Sequence, residues 1–109
     1  MATTYKVLAQ SAPAATTATD LYTVGAGKSA VISTLVVANR ANTAATYRVS
    51  VRVAGAAQAN QHYIAYDVTV GANDSTTLTL GITLAATDVV TVYASTANLS
   101  FTAFGSEIA

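Results

Sequence analysis

Few side chains in this sequence could do acid–base or nucleophilic chemistry, and they stand far apart. His62 is the only histidine among 109 residues. A Ser or Thr nucleophile would need it as general base, with a carboxylate to orient the ring. Asp67, Asp74 and Asp88 are the available carboxylates, but nothing in their spacing draws them to His62. His62 follows a polar loop and opens a β-rich run, which predicts a surface or strand-edge histidine. The five acidic residues Asp20, Asp67, Asp74, Asp88 and Glu107 are scattered, with no pair set as acid and base on one strand face. Asp74 and Asp88 fall where turns favour Asp. No dense Asp/Asn loop offers the oxygen ligands calcium needs. Without cysteine there is neither a thiolate metal site nor a disulfide.

Gly25-Ala26-Gly27-Lys28-Ser29 has the ending of a phosphate-binding loop but lacks its first glycine at the required spacing. The residues after it, Ala30 to Val37, are β-rich where that motif needs a helix. A hairpin turn is the reading. No cofactor, no metal and no enzymatic activity are expected.

Two arginines and several tyrosines are better placed to make contacts. In Thr46-Tyr47-Arg48-Val49-Ser50-Val51-Arg52-Val53, apolar and polar residues alternate with a period of two. That is a strand with one face on a core. Arg48 and Arg52 share its polar face, about 13 Å apart at ~3.3 Å per residue. They either grip acidic or phosphate groups of a neighbour or form a plain solvated face. Among six tyrosines, alternation turns Tyr47 and Tyr66 inward and leaves Tyr63 and Tyr93 as surface candidates. The candidate interface residues are therefore Arg48, Arg52, Tyr63 and Tyr93. Five basic residues balance five acidic ones, so without a basic patch nucleic-acid binding is not expected.

The elements that would position these residues are all strands. Thr3 to Gln10 reads as a strand with Tyr5, Val7 and Ala9 on one face, and Pro13 marks a loop after it. Residues 1–17 are thus a first strand, or an arm, plus a loop. Asp20 to Val24 is short. Ala30 to Ala38 is apolar on both faces, as a central or partner-covered strand is, and predicts a hairpin with Thr46–Val53. His62 to Val68 follows, with Ile64, Tyr66, Val68 and Val70 inward. Thr76 to Leu80 places Leu78 and Leu80 inward, and Gly81 suggests a bulge before Ile82-Thr83-Leu84. Val89–Ser95 and Leu99–Phe104 read as a last hairpin. About eight short strands with turns every 8–12 residues predict an all-β chain, an antiparallel β-sandwich of jelly-roll or Ig-like type spanning 1–109 as one domain.

Composition points to assembly. Only 9% of residues are charged, against about 25% in ordinary globular domains, while 52% are hydrophobic. A free monomer usually carries charge to stay apart from its copies, so the surface expected here tolerates protein contact. No apolar run approaches the ~20 residues of a membrane helix. The first residues lack a basic stretch followed by an apolar one, so synthesis in a cytoplasm without a signal peptide is expected.

Leu21-Tyr22-Thr23-Val24, the Ala30–Asn39 run, Tyr47-Arg48-Val49, and Leu84 to Ser95 with Phe101 to Ile108 resemble small all-β structural proteins of tailed-bacteriophage virions. The likeness covers nearly the whole chain. Many such proteins carry Pro after Tyr-Thr-Val, where Gly25 stands here, which changes a turn and not the fold. The resemblance implies a β-sandwich carried in many copies on a virion, without catalytic residues. The narrower expectation is a capsid decoration or cement protein, a trimer or other symmetric homo-oligomer that binds the major capsid protein. The alternatives are a tail, neck or baseplate accessory protein, or a glycan-binding module using exposed Tyr and the loop Gln58-Ala59-Asn60-Gln61.

Overall fold

The computed structural model describes residues 2–109. Nine strands run in chain order: β1 (Thr3–Ser11), β2 (Thr19–Thr23), β3 (Ser29–Asn39), β4 (Ala45–Arg52), β5 (Tyr63–Val70), β6 (Ser75–Leu78), β7 (Ile82–Leu84), β8 (Val89–Ala94) and β9 (Leu99–Ile108). Two 3-10 turns, Val53–Gly55 and Asn60–His62, lie between β4 and β5. One sheet has the order β1-β9-β3-β6, with β7 also on β3; the other has the order β2-β8-β4-β5. Every pairing is antiparallel. β6 and β7 both lie along β3 and act as one edge strand interrupted at residues 79–81. Counted so, eight strand positions switch sheets at every step except β4 to β5, the order of a jelly roll. The sheets do not close into a barrel.

Both sheets feed one core. Ile32, Leu35, Val37, Leu99 and Phe101 from the first sheet meet Tyr47, Val49, Val90 and Val92 from the second, all fully buried. Each is β-branched, aromatic or a leucine on an alternating strand, the residue types that fill the inner faces of a sandwich. The alternation in β3 slips once. Ala30 and Ile32 point inward, then Leu35 and Val37 do, because the register shifts between Ile32 and Thr34. Gly105 sits opposite Ile32 at this bulge. A Cβ on Gly105 would lie 1.9 Å from the Val31 carbonyl oxygen, so only glycine lets β9 approach β3 so closely.

Several sequence expectations change at the level of pairing. The two predicted hairpins do not exist as pairs. β3 and β4 lie in opposite sheets, and so do β8 and β9. Each connection instead crosses the sandwich, and these four strands find their partners elsewhere in the chain. Residues 3–11 form a strand against β9 of the same chain. A bulge between Val7 and Ala9 turns Tyr5 and Val7 outward and lets Ala9 pack on the core. In β5, Ile64, Tyr66 and Val68 are exposed and only Val70 is buried. This edge strand shifts register twice against β4, and Asp67 has φ +52°, which breaks the expected alternation. Leu80 is exposed in the break before Gly81 (φ +65°). Val53 leaves the strand for a 3-10 turn and is exposed.

Two buried polar side chains hold the loops at opposite ends. Asn39 donates from Nδ2 to the carbonyls of Thr43 (2.8 Å), Gly71 (3.2 Å) and Val70 (3.3 Å), and its Oδ1 accepts the Ala41 N–H (3.0 Å). Asp88 accepts the N–H groups of Ala54 and Ala85, one per carboxylate oxygen, each at 2.9 Å. Each therefore replaces backbone pairing that the crossing loops cannot supply themselves.

Candidate interaction surfaces

On the outer face of the second sheet, Arg48 of β4 lies between two aromatic rings. Its guanidinium carbon is 4.2 Å from the Tyr66 ring centroid and 4.4 Å from that of Tyr93. Tyr93 is its direct cross-strand neighbour on β8, and Tyr66 comes from the bulged part of β5. Arg48 Nε also donates to Asp67 Oδ1 at 2.7 Å. The hydrogen bond and charge of Asp67 hold the guanidinium's pKa above its ordinary value. Tyr63 meets Tyr66 edge to face, with centroids 4.8 Å apart. Three of the four expected interface residues, Arg48, Tyr63 and Tyr93, thus fall in one cluster. Tyr66, which alternation turns inward, joins them with 55% of its surface exposed. Only the bulge, invisible to a period of two, could have revealed it.

Arg52 does not belong to this cluster. Its guanidinium donates to Asp20 Oδ1 (2.9 Å), Thr91 Oγ1 (3.1 Å) and the carbonyls of Gly55 and Ala56. It fastens β2 and the 3-10 turn to β4, and its donors are committed within the chain.

The outer face of the first sheet carries one apolar patch, on β1 and β9, and no sequence signal marks it as a site. Tyr5 (83% exposed) and Val7 (47%) on β1 lie beside Phe104 (40%) on β9. Tyr5, Val31 and Phe104, with Lys6, Ser33, Gly105 and Ser106, line an open groove of about 460 Å³. Near its rim, Glu107 binds Lys6 Nζ at 3.0 Å and faces Lys28 Nζ at 3.9 Å.

The residues considered for chemistry are dispersed. His62 Nδ1 accepts the Ala59 N–H. Asp67 is held by Arg48, Asp74 accepts the Ser75 N–H, and Asp88 is committed to Ala54 and Ala85. Lys28 closes the turn begun at Gly25 and leads into β3, not into a helix. Among the described residues, no three His, Asp or Glu side chains gather to hold a metal ion. Among the described residues no helix is long and apolar enough to cross a membrane. No protein-family model matches the chain, nor does any curated protein or solved structure.

Proposed function

We propose that this chain is a non-enzymatic structural protein of a tailed-phage virion, a capsid decoration protein that stabilises the shell by protein–protein contact. The observation that carries the reading is the exposed apolar face of Tyr5, Val7 and Phe104 on a chain with no net charge. A surface of this kind gains free energy when covered, about 25 cal/mol per Å² of apolar area before association costs. The jelly-roll order agrees with it by analogy, since viral capsid proteins use that architecture. Cryo-electron microscopy of particles carrying the protein tests the reading. Density on the capsid lattice is the expected result. Density confined to the tail or neck would reject decoration, and absence from particles would reject the virion role.

A second reading, glycan binding, is favoured by the Tyr63–Tyr66–Tyr93 cluster around Arg48 and Asp67. Lectins also use jelly rolls, and tyrosine rings beside polar groups suit sugar contacts. Retention on a sugar matrix that Tyr66→Ala abolishes would support it.

A further inference from the structure

A sandwich has four sheet edges, and three of them here are blunted. β2 is five residues long and shifts register between Asp20 and Tyr22. β5 shifts twice. The β6/β7 edge consists of a four-residue and a three-residue strand separated by Gly81. Short or bulged edges resist pairing with another chain. β1 is different. It is nine residues long, and Thr3 to Val7 pairs with β9 in unbroken register. Among the described residues, no strand or backbone hydrogen bond covers its outer edge. The exposed apolar side chains Tyr5 and Val7 stand on this same run.

We propose that the Thr3–Val7 edge pairs antiparallel with the same edge of a second copy, joining the two first sheets across a two-fold axis at Tyr5. An antiparallel pair of identical strands is self-complementary, so one surface suffices for both partners. The register follows from the residues. Centring on Lys6 would set like charges opposite each other, which destabilises a pair. Centring on Val7 would put the bulge in the middle of the ladder. Centring on Tyr5 sets Tyr5 against its copy, Val7 against Thr3 and Lys6 against Thr4. Lys6 keeps its own Glu107 throughout. The zero net charge of the chain adds no repulsion between copies. Tyr5 and Val7 bring only ~200 Å² of exposed surface per copy. This is small beside the ~1,000 Å² total of a stable interface, so the pair relies on main-chain hydrogen bonds and is reversible. The inference stands on β1 and does not depend on the virion reading.

The chain has no native cysteine, so single cysteines report the register directly. Opposed residues in an antiparallel pair have Cα atoms ~4.5–5.5 Å apart, within disulfide range. With oxidised glutathione as oxidant, Tyr5→Cys is expected to give a covalent dimer. Val7→Cys, about 13 Å from its copy in this register, is expected to stay uncrosslinked. In sedimentation equilibrium, the native chain should shift from monomer to dimer with concentration. Tyr5→Lys should remain monomeric with an unchanged thermal midpoint, because Tyr5 is largely exposed in the isolated chain. A native chain that stays monomeric, a trimer without dimer, or equal crosslinking of Val7→Cys and Tyr5→Cys would each overturn the proposal.

Discussion

The Tyr22 hydroxyl donates a 2.5 Å hydrogen bond to Glu107 Oε2, and that bond ties the edge of one sheet to the other. Tyr22 belongs to β2 and Glu107 to β9, 85 residues apart. The bond holds the Glu107 carboxyl below its ordinary value, with help from Lys6. Burial, and then the carboxylate itself, push the Tyr22 phenol above its ordinary 10.0. The two shifts act at opposite ends of the pH scale. A carboxylate with a lowered folded pKa contributes fully above its unfolded value of 4.5 and loses that contribution as pH falls through the folded value. A phenol with a raised folded pKa contributes fully below pH 10.0 and loses that contribution as pH rises above it. Tyr22→Phe is therefore expected to lower the thermal midpoint by about 5 °C at neutral pH. The gap from the native chain should be widest between about pH 5 and 10 and narrow on both sides. Thermal melts across pH check this, and a gap independent of pH would refute the linkage.

Tyr47 is fully buried, and its hydroxyl is a buried side-chain polar atom with no hydrogen-bond partner. Its ring meets Phe101 edge to face at 6.3 Å. A buried hydroxyl left unpaired costs ~1–3 kcal/mol, while the ring contact needs no hydroxyl. Tyr47→Phe is expected to raise unfolding stability by about 1 kcal/mol in chemical denaturation. A loss of stability would mean that the hydroxyl has a partner in solution.

Asn39→Ala would remove the amide that the Thr43, Val70 and Gly71 carbonyls share and the oxygen that caps Ala41. Stranding several buried groups predicts a loss of about 3 kcal/mol. Asn39→Asp keeps the shape but turns an acceptor toward those carbonyls. Its defect should be larger at pH 7 than at pH 4, where protonation restores a donor. Denaturant titrations at both pH values separate the two variants.

Glycine is required at 105 for space and at 27 for conformation, and the two requirements predict different losses. Gly105→Ala meets the Val31 carbonyl oxygen inside contact distance, so the β3–β9 bulge must rearrange. A loss above about 4 kcal/mol, or failure to fold, is expected. Gly27 has φ +74°, and a methyl group added there would meet nothing within 4 Å, so Gly27→Ala should cost only about 1 kcal/mol. Equal losses, measured by denaturant titration, would show that the close approach of the strands does not matter.

Alternation along Thr46–Arg52 makes the inward Tyr47 and Val49 readable, and turn residues place Asp74, Asp88 and the Gly81 interruption. These signals are local, as are the rules that use them. Strand pairing is not readable, because a jelly roll sends most consecutive strands to opposite sheets. Nothing in the Asn39–Ala45 or Ala94–Leu99 connections distinguishes a sheet crossing from a hairpin. The outward Tyr66 and Val7 escape for another reason. Each lies at a bulge, where one extra residue reverses a period of two. Each candidate surface includes one such residue, Tyr66 in the Arg48 cluster and Val7 beside Phe104, so sequence finds part of each surface and misses how it closes.

The Arg48 cluster makes a prediction that separates stacking from charge. Lysine keeps the charge and can still reach Asp67, but it has no planar group to lie between the Tyr66 and Tyr93 rings. If stacking holds the cluster, Arg48→Lys should change the tyrosine near-ultraviolet circular dichroism and lower the thermal midpoint. Asp67→Asn, which spares the rings, should leave that spectrum nearly unchanged. Adding Tyr66→Leu to Arg48→Lys should then lower the midpoint by less than the two single shifts combined, since both remove the same contact. The cation–ring attraction is a contact with a ring quadrupole and is weakened less by salt than the charge–charge attraction of the Arg48–Asp67 pair. Raising ionic strength should therefore erase most of the Asp67→Asn defect and little of the Arg48→Lys defect. Strictly additive midpoint shifts, or salt erasing both defects alike, would show that charge alone places Arg48.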